Sequence, residues 1–325
     1  MRSGLSDSFE EALRVGFLNP LLKRVQNDHS LMLCTREGYI NIYYRGGNLI
    51  ELKEKPDGSY EAFFNKNYIT ENYRNHRDGY RNDEPLLMDD DFFEQTIAKA
   101  NENNVKKLIQ TILLKKEIMD FHFSDYFKTE REFQQLVARE NNYPPISNDT
   151  DYFIADIELV IDKTRFDMLA FKWPSTSSDR RKDNVRLALV EMKYGQGAFS
   201  SSSGIYKHFK DMESFLSIAS NISNLAEMAE KQINQLNKLG LLAHTRVKDR
   251  DFEVDKSQVE IIFILANHKP SSGTLLSELK NIQREYAETD NLKLRFFTAN
   301  SAGYGMYGAC MMDIDKYIKF LQDQQ

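Results

Sequence analysis

The chain has little cysteine, no long apolar run and no surplus of positive charge, and each absence narrows what it can be. Its two cysteines, Cys34 and Cys310, stand near opposite ends of 325 residues, and neither has a Cys or His neighbour at zinc-site spacing. A disulfide is possible but nothing requires one, so a reducing, cytoplasmic setting is expected. The longest wholly apolar run, Ile261–Ala266, falls far short of the roughly 20 residues that a membrane helix requires. The first residues carry Asp7, Glu10 and Glu11 and no apolar core of a signal peptide. A net charge of −6 gives no overall basic footprint, so any nucleic-acid surface must be local. The histidines are scattered without metal-ligand spacing, and there is no internal repeat or low-complexity tract.

What is present is ordinary globular material, 41% hydrophobic and 28% charged, enough for one large domain or two of common size. Ser6–Gln26 reads as helix interrupted near Asn19-Pro20. Four short strands are expected next, over Ser30–Cys34, Tyr39–Tyr44, Asn48–Glu54 and Ser59–Phe64, with glycine turns between them. Tyr68–Pro85 reads as an irregular polar loop. The apolar spacing of Phe92, Phe93, Ile97, Val105, Leu108 and Ile112 predicts two helices between Asp89 and Asp120. Thr129 fits an N-cap, with Glu132 as the acid of its capping box.

From Thr129 the expected order is a helix, three consecutive strands (Tyr152–Asp162, Arg165–Trp173, Val185–Tyr194), a long helical region from Tyr206 to Leu239, a strand Gln258–Asn267, a helix Gly273–Thr289, a strand Leu292–Ala299 and a helix Asp313–Gln322. This is an α/β (α+β) arrangement: a mixed central sheet flanked by helices over 126–325, preceded by a smaller antiparallel meander with helices over 1–125. The first module shows no catalytic signature and reads as a recognition or oligomerisation unit. Its aromatic residues Tyr39, Tyr43, Tyr44, Tyr60, Phe63 and Phe64 suit a core or an interface, or a base-stacking surface.

One constellation suggests chemistry. Asp167 follows Arg165-Phe166 on one strand, and Glu191-Met192-Lys193 follows the apolar Leu187–Val190 on the next. Strand alternation puts Glu191 and Lys193 on one face, where burying both charges is costly unless something pairs them. A divalent cation between Asp167 and Glu191 does so, and Lys193 is a compact charge for a water or a phosphate. The bland alternative is an ion network at the strand ends.

An Asp, a variable gap and Glu-x-Lys on successive strands after a leading helix resembles the PD-(D/E)xK nuclease superfamily, which includes type II restriction enzymes and junction resolvases. The likeness covers Thr129 to Asn267, and Phe166 stands where the motif has proline. It implies a restriction-endonuclease-like core and a magnesium-dependent endonuclease acting on DNA, with manganese able to substitute. A setting in restriction or defence and cleavage as a homodimer follow from the same likeness. Asp167 and Glu191 are the implied metal ligands, Glu158 a further possible ligand, and Lys193 the catalytic residue that assists the attacking water or stabilises charge developing on the phosphate. Glu130, sharing a helix face with Phe133 and Val137, is a candidate additional carboxylate, with Glu132 the alternative. Tyr206, His208 and Gln232 are candidates for a polar residue supplied by the following helix. Arg180, Arg181, Lys182 and Lys207 are candidate phosphate contacts, and the Ser200–Gly204 run a possible anion nest. Tyr304–Gly308 reads as a tight turn near the sheet end. A non-catalytic nucleic-acid- or protein-binding member of the same fold and an RNA nuclease are the alternatives.

Overall fold

The computed structural model describes residues 4–80, 89–143, 149–161, 164–176, 178–200, 204–242, 251–269, 271–299, 306 and 308–323. The chain divides into two compact units, Arg2–Gln135 with Gln235–Leu242, and Leu136–Asn234 with Ala243–Gln325.

The first unit is built on a five-stranded antiparallel sheet in the order β1-β2-β3-β4-β5, comprising β1 Leu31–Thr35, β2 Tyr39–Tyr44, β3 Gly47–Glu54, β4 Tyr60–Phe63 and β5 Glu94–Ile97. Helices α1 (Asp7–Arg14) and α2 (Asn19–Gln26) precede it, broken where Pro20 opens the second helix. Alternation decides the faces, with Ile40 and Ile42 of β2 and Ile50 and Leu52 of β3 buried in the core. The β2–β3 hairpin turns on Arg45-Gly46, with φ of 49° and 73°. Two positive φ values are the signature of a type I′ turn, which matches the right-handed twist of the strands.

Three expectations change here. The fifth strand falls where the apolar spacing reads as helix: Asp90–Phe93 is a single helical turn and Glu94–Ile97 pairs with β4. Four residues that alternate exposed and buried are too few for a periodicity of 3.6 to be told from one of 2. The polar loop contains helix α3, Glu71–Tyr80, which places Tyr73 in the core. Only one long helix follows, α4, Asn103–Asp125, burying Val105, Leu108, Ile112, Ile118, Met119 and Phe123. Helix α5, Thr129–Asn142, starts at Thr129, because Glu132 N–H already donates to Lys128 O at 3.1 Å. The Glu132 carboxylate meets Arg45 instead of closing a capping box, at 2.9 Å.

The second unit carries a mixed sheet in the order β10-β9-β8-β7-β6, with β6 Tyr152–Ile161, β7 Thr164–Lys172, β8 Val185–Tyr194, β9 Val254–Ala266 and β10 Leu292–Ala299. Strands β6, β7 and β8 are antiparallel, whereas β8, β9 and β10 run parallel and require helical crossovers. Those crossovers are α6 (Ile205–Leu216) with α7 (Ala219–Lys238), then α8 (Gly273–Glu285), and α9 (Ile314–Gln322) follows β10. The expected long helix is therefore two, separated at Ser217-Ile218. Leu187–Lys193 and Val259–Ala266 are buried at every position, as expected for strands covered on both faces. The open edge of β6 is met by a side chain, since Asn142 accepts from Ile154 N–H at 2.9 Å and donates to its carbonyl at 2.7 Å. Among the described residues, no helix is long and apolar enough to cross a membrane.

Candidate active site

The sheet register brings the acidic residues of three strands into one row. Ile157 pairs with Met168 and Leu159 with Phe166, which sets Glu158 opposite Asp167. Met168 pairs with Val190, so the next position sets Asp167 level with Glu191. On the far side Glu191 pairs with Phe263 and Lys193 with Leu265 in the parallel strand β9. The paired positions of β7 and β8 stop at Met168 and Val190. Beyond them the Asp167 carboxylate takes the place of the neighbouring strand: its Oδ2 accepts the Met192 N–H at 2.9 Å. A side chain thus satisfies a backbone donor that the ladder would otherwise have to satisfy.

Asp167, Glu191 and Lys193 are 7%, 3% and 3% exposed. Lys193 Nζ donates to Glu191 Oε1 at 2.7 Å, and His208 Nδ1, on α6, lies 3.0 Å from that same oxygen. A buried pair of this kind gains little net stability, because desolvation of both charges offsets most of their attraction. Of the three helix candidates, His208 is thus the one placed on the cluster. Tyr206 donates to Glu285 at 2.7 Å, and the Gln232 amide donates to Asp156 Oδ2 at 3.1 Å.

Glu158 adopts a positive φ of 55°, sparsely populated for a side chain of its size, and its carboxylate pairs with Arg165. Glu130 sits half-buried in the first turn of α5, within the first unit. The basic loop is largely committed within the fold. Arg180 donates to the carbonyls of Pro174, Thr150 and Trp173, and its charge lies over the Trp173 ring. Burial holds that guanidinium below its usual pKa, with Asp151 acting in the opposite direction. Lys182 is buried with its ammonium over Phe252, whereas the exposed Arg181 pairs with Asp183. Lys207 is exposed and pairs with Asp211 on its own helix. Most of the Ser200–Gly204 and Tyr304–Gly308 runs lies outside the described residues; Gly308 N–H donates to Asp151 Oδ2 at 2.6 Å.

Two polar groups escaped the sequence reading. Asp156, 1% exposed, lies two positions from Glu158 beside a register shift at Ile154/Asp156. Nothing in the sequence marks that bulge. On the opposite face of the sheet Glu260 accepts from Tyr152 Oη and from Lys172 Nζ, each at 2.6 Å. Burial and the adjacent Glu260 charge push the Tyr152 hydroxyl well above its ordinary pKa. Its signal was present: Glu260 interrupts the apolar run of β9 just as Glu191 interrupts that of β8.

Among the described residues no group of three or more His, Cys, Asp or Glu side chains is arranged to hold a metal ion. A magnesium ion, however, is commonly held by only one or two carboxylates together with waters and substrate phosphates. Asp167 and Glu191, level on adjacent strands at the end of their pairing, fit that smaller donor set. Comparison with known protein families, with curated proteins and with solved structures finds no match to this chain.

Proposed function

We propose that the second unit is a metal-dependent phosphodiesterase acting on DNA, with a restriction-endonuclease-like core. The observation that carries this reading is that Asp167 and Glu191 stand level on two neighbouring strands, while Lys193, two residues further along the strand of Glu191, holds that carboxylate at 2.7 Å. The charges are kept in an apolar setting at a net cost, which is more readily explained by chemistry than by stability. Asp167 and Glu191 would hold the Mg²⁺, or Mn²⁺ in its place. When bound, the ion polarises a phosphoryl oxygen and lowers the pKa of a water. The chain's own residues do the rest. Met192 N–H fixes the rotation of the Asp167 carboxylate, and the Lys193 ammonium supplies a fixed positive charge beside the developing charge on phosphate.

The burial of all three residues favours a second reading, a non-catalytic binding protein on the same fold whose ion cluster is structural. An RNA nuclease has the same site and a different substrate. Incubating the protein with plasmid, single-stranded DNA and RNA in Mg²⁺ or Mn²⁺ separates the three. The proposal predicts DNA cleavage that Glu191→Ala and Lys193→Ala each reduce by at least about 10²-fold. Cleavage that survives both substitutions unchanged overturns it.

A further inference from the structure

Glu191 Oε1 has two nitrogen neighbours, one on its own strand and one on a helix. Lys193 Nζ approaches at 2.7 Å and His208 Nδ1 at 3.0 Å. Lys193 donates to that oxygen and the imidazole nitrogen stands at hydrogen-bond distance from it, where an Nδ1–H would hold the rotation of the carboxylate and so the direction of its other oxygen. The imidazole is also the better exposed partner: its side chain is 28% exposed against 4% for Glu191 and 4% for Lys193. His208 stands one turn into α6, on the side that also carries the buried Ile205, Phe209 and Met212, so the packed helix holds the ring in place.

We propose that His208 is a positioning residue for Glu191, orienting the carboxylate through an Nδ1–H donated to Oε1 so that its second oxygen meets a divalent cation. This deepens the phosphodiesterase reading and rests on it for its purpose, but it makes its own claim about cation binding. Groups that orient a ligating side chain commonly change metal affinity or activity by 10–100-fold.

The test is a series of substitutions at one position, read by calorimetric titration with Mn²⁺ alone and by plasmid cleavage, with thermal melting to confirm folding. His208→Ala is expected to weaken Mn²⁺ binding by about 10–100-fold and to lower kcat with little change in KM for DNA. His208→Asn carries an N–H at the position of Nδ1 and restores binding to within about threefold; His208→Gln, whose N–H lies at the position of Nε2, does not. The Asn and Gln variants have near-equal polarity, so the contrast between them stands even if the Ala variant folds poorly. A wild-type protein that binds Mn²⁺ with this Ala, Asn and Gln pattern but does not cut DNA removes the nuclease reading and leaves His208 as the positioning residue. Equal Mn²⁺ affinity in wild type and His208→Ala, equal affinity in the Asn and Gln variants, or no Mn²⁺ binding by the wild type overturns the inference.

Discussion

The two sheets treat buried charge differently. In the first unit Lys115 is 2% exposed on α4, its ammonium over the rings of Phe64 and Phe92, and burial pushes its pKa down to about 8. In the sheet of the second unit two buried carboxylates come with oppositely charged neighbours: Glu191 with Lys193 on one face, Glu260 with Lys172 on the other. Burial disfavours the charged form of a lone ammonium, whereas an opposite charge within hydrogen-bond reach offsets part of that cost. The second arrangement sets opposite charges against one another in a dry setting, which is the kind of site that electrostatic catalysis uses.

That contrast can be broken first at the active-site pair. Lys193→Met leaves a buried carboxylate without its ammonium and is expected to cost about 3–5 kcal/mol in urea denaturation. Adding Glu191→Gln to it should return stability to within about 1 kcal/mol of the wild type, because the pair as a whole contributes little. A double variant as unstable as the single one means that the pair is structural.

The converse holds in the first unit. Lys115→Met is expected to stabilise that unit by about 3 kcal/mol at neutral pH, the equivalent of lowering the lysine from 10.5 to about 8. Below pH 8 the lysine is charged in both the folded and the unfolded chain, and the burial penalty is present in full. Between about pH 8 and 10.5 the folded protein has lost the proton and the unfolded chain still holds it, so wild-type stability climbs with pH. Urea midpoints measured across that window should rise for the wild type and stay flat for Lys115→Met. Parallel slopes mean that Lys115 titrates normally.

A smaller effect separates the two faces of the second sheet. Glu260→Gln weakens the bonds to Tyr152 and Lys172 and is expected to cost about 2 kcal/mol while leaving DNA cleavage unchanged. Loss of cleavage by a protein that remains folded would assign that cluster to the chemistry. The smallest change is at the sheet edge, where Asn142→Ala removes the side-chain bonds to Ile154 for about 1 kcal/mol. Hydrogen exchange should then speed up at the Ile154 amide and remain slow in β8.

Legibility followed the length and burial of each element. β8 and β10 were readable to the residue, because the apolar Leu187–Val190 in the one and the alternation of Leu292, Leu294 and Phe296 with Lys293 and Arg295 in the other both mark a strand. The four-residue β5 and the Asn- and Arg-rich α3 were not, since neither is long enough or apolar enough to show a period. That Asp167 stands level with Glu191, and that Glu191 and Lys193 share a face, was foreseeable from alternation and strand order alone. The partner on α6 was not, because choosing His208 over Tyr206 or Gln232 depends on the rotation of a helix against the sheet, which only packing sets. The commitment of Arg180 to three carbonyls was likewise invisible, as a basic loop reads the same whether its side chains turn outward or back into the fold.

The most direct test compares the wild type with the Glu191→Gln/Lys193→Met double variant for relaxation of supercoiled plasmid in Mg²⁺, at matched thermal stability. The account predicts relaxation by the wild type and a loss of at least about 10²-fold in the double variant, with melting temperatures that nearly coincide. Equal relaxation by both proteins, or none by the wild type, would contradict it.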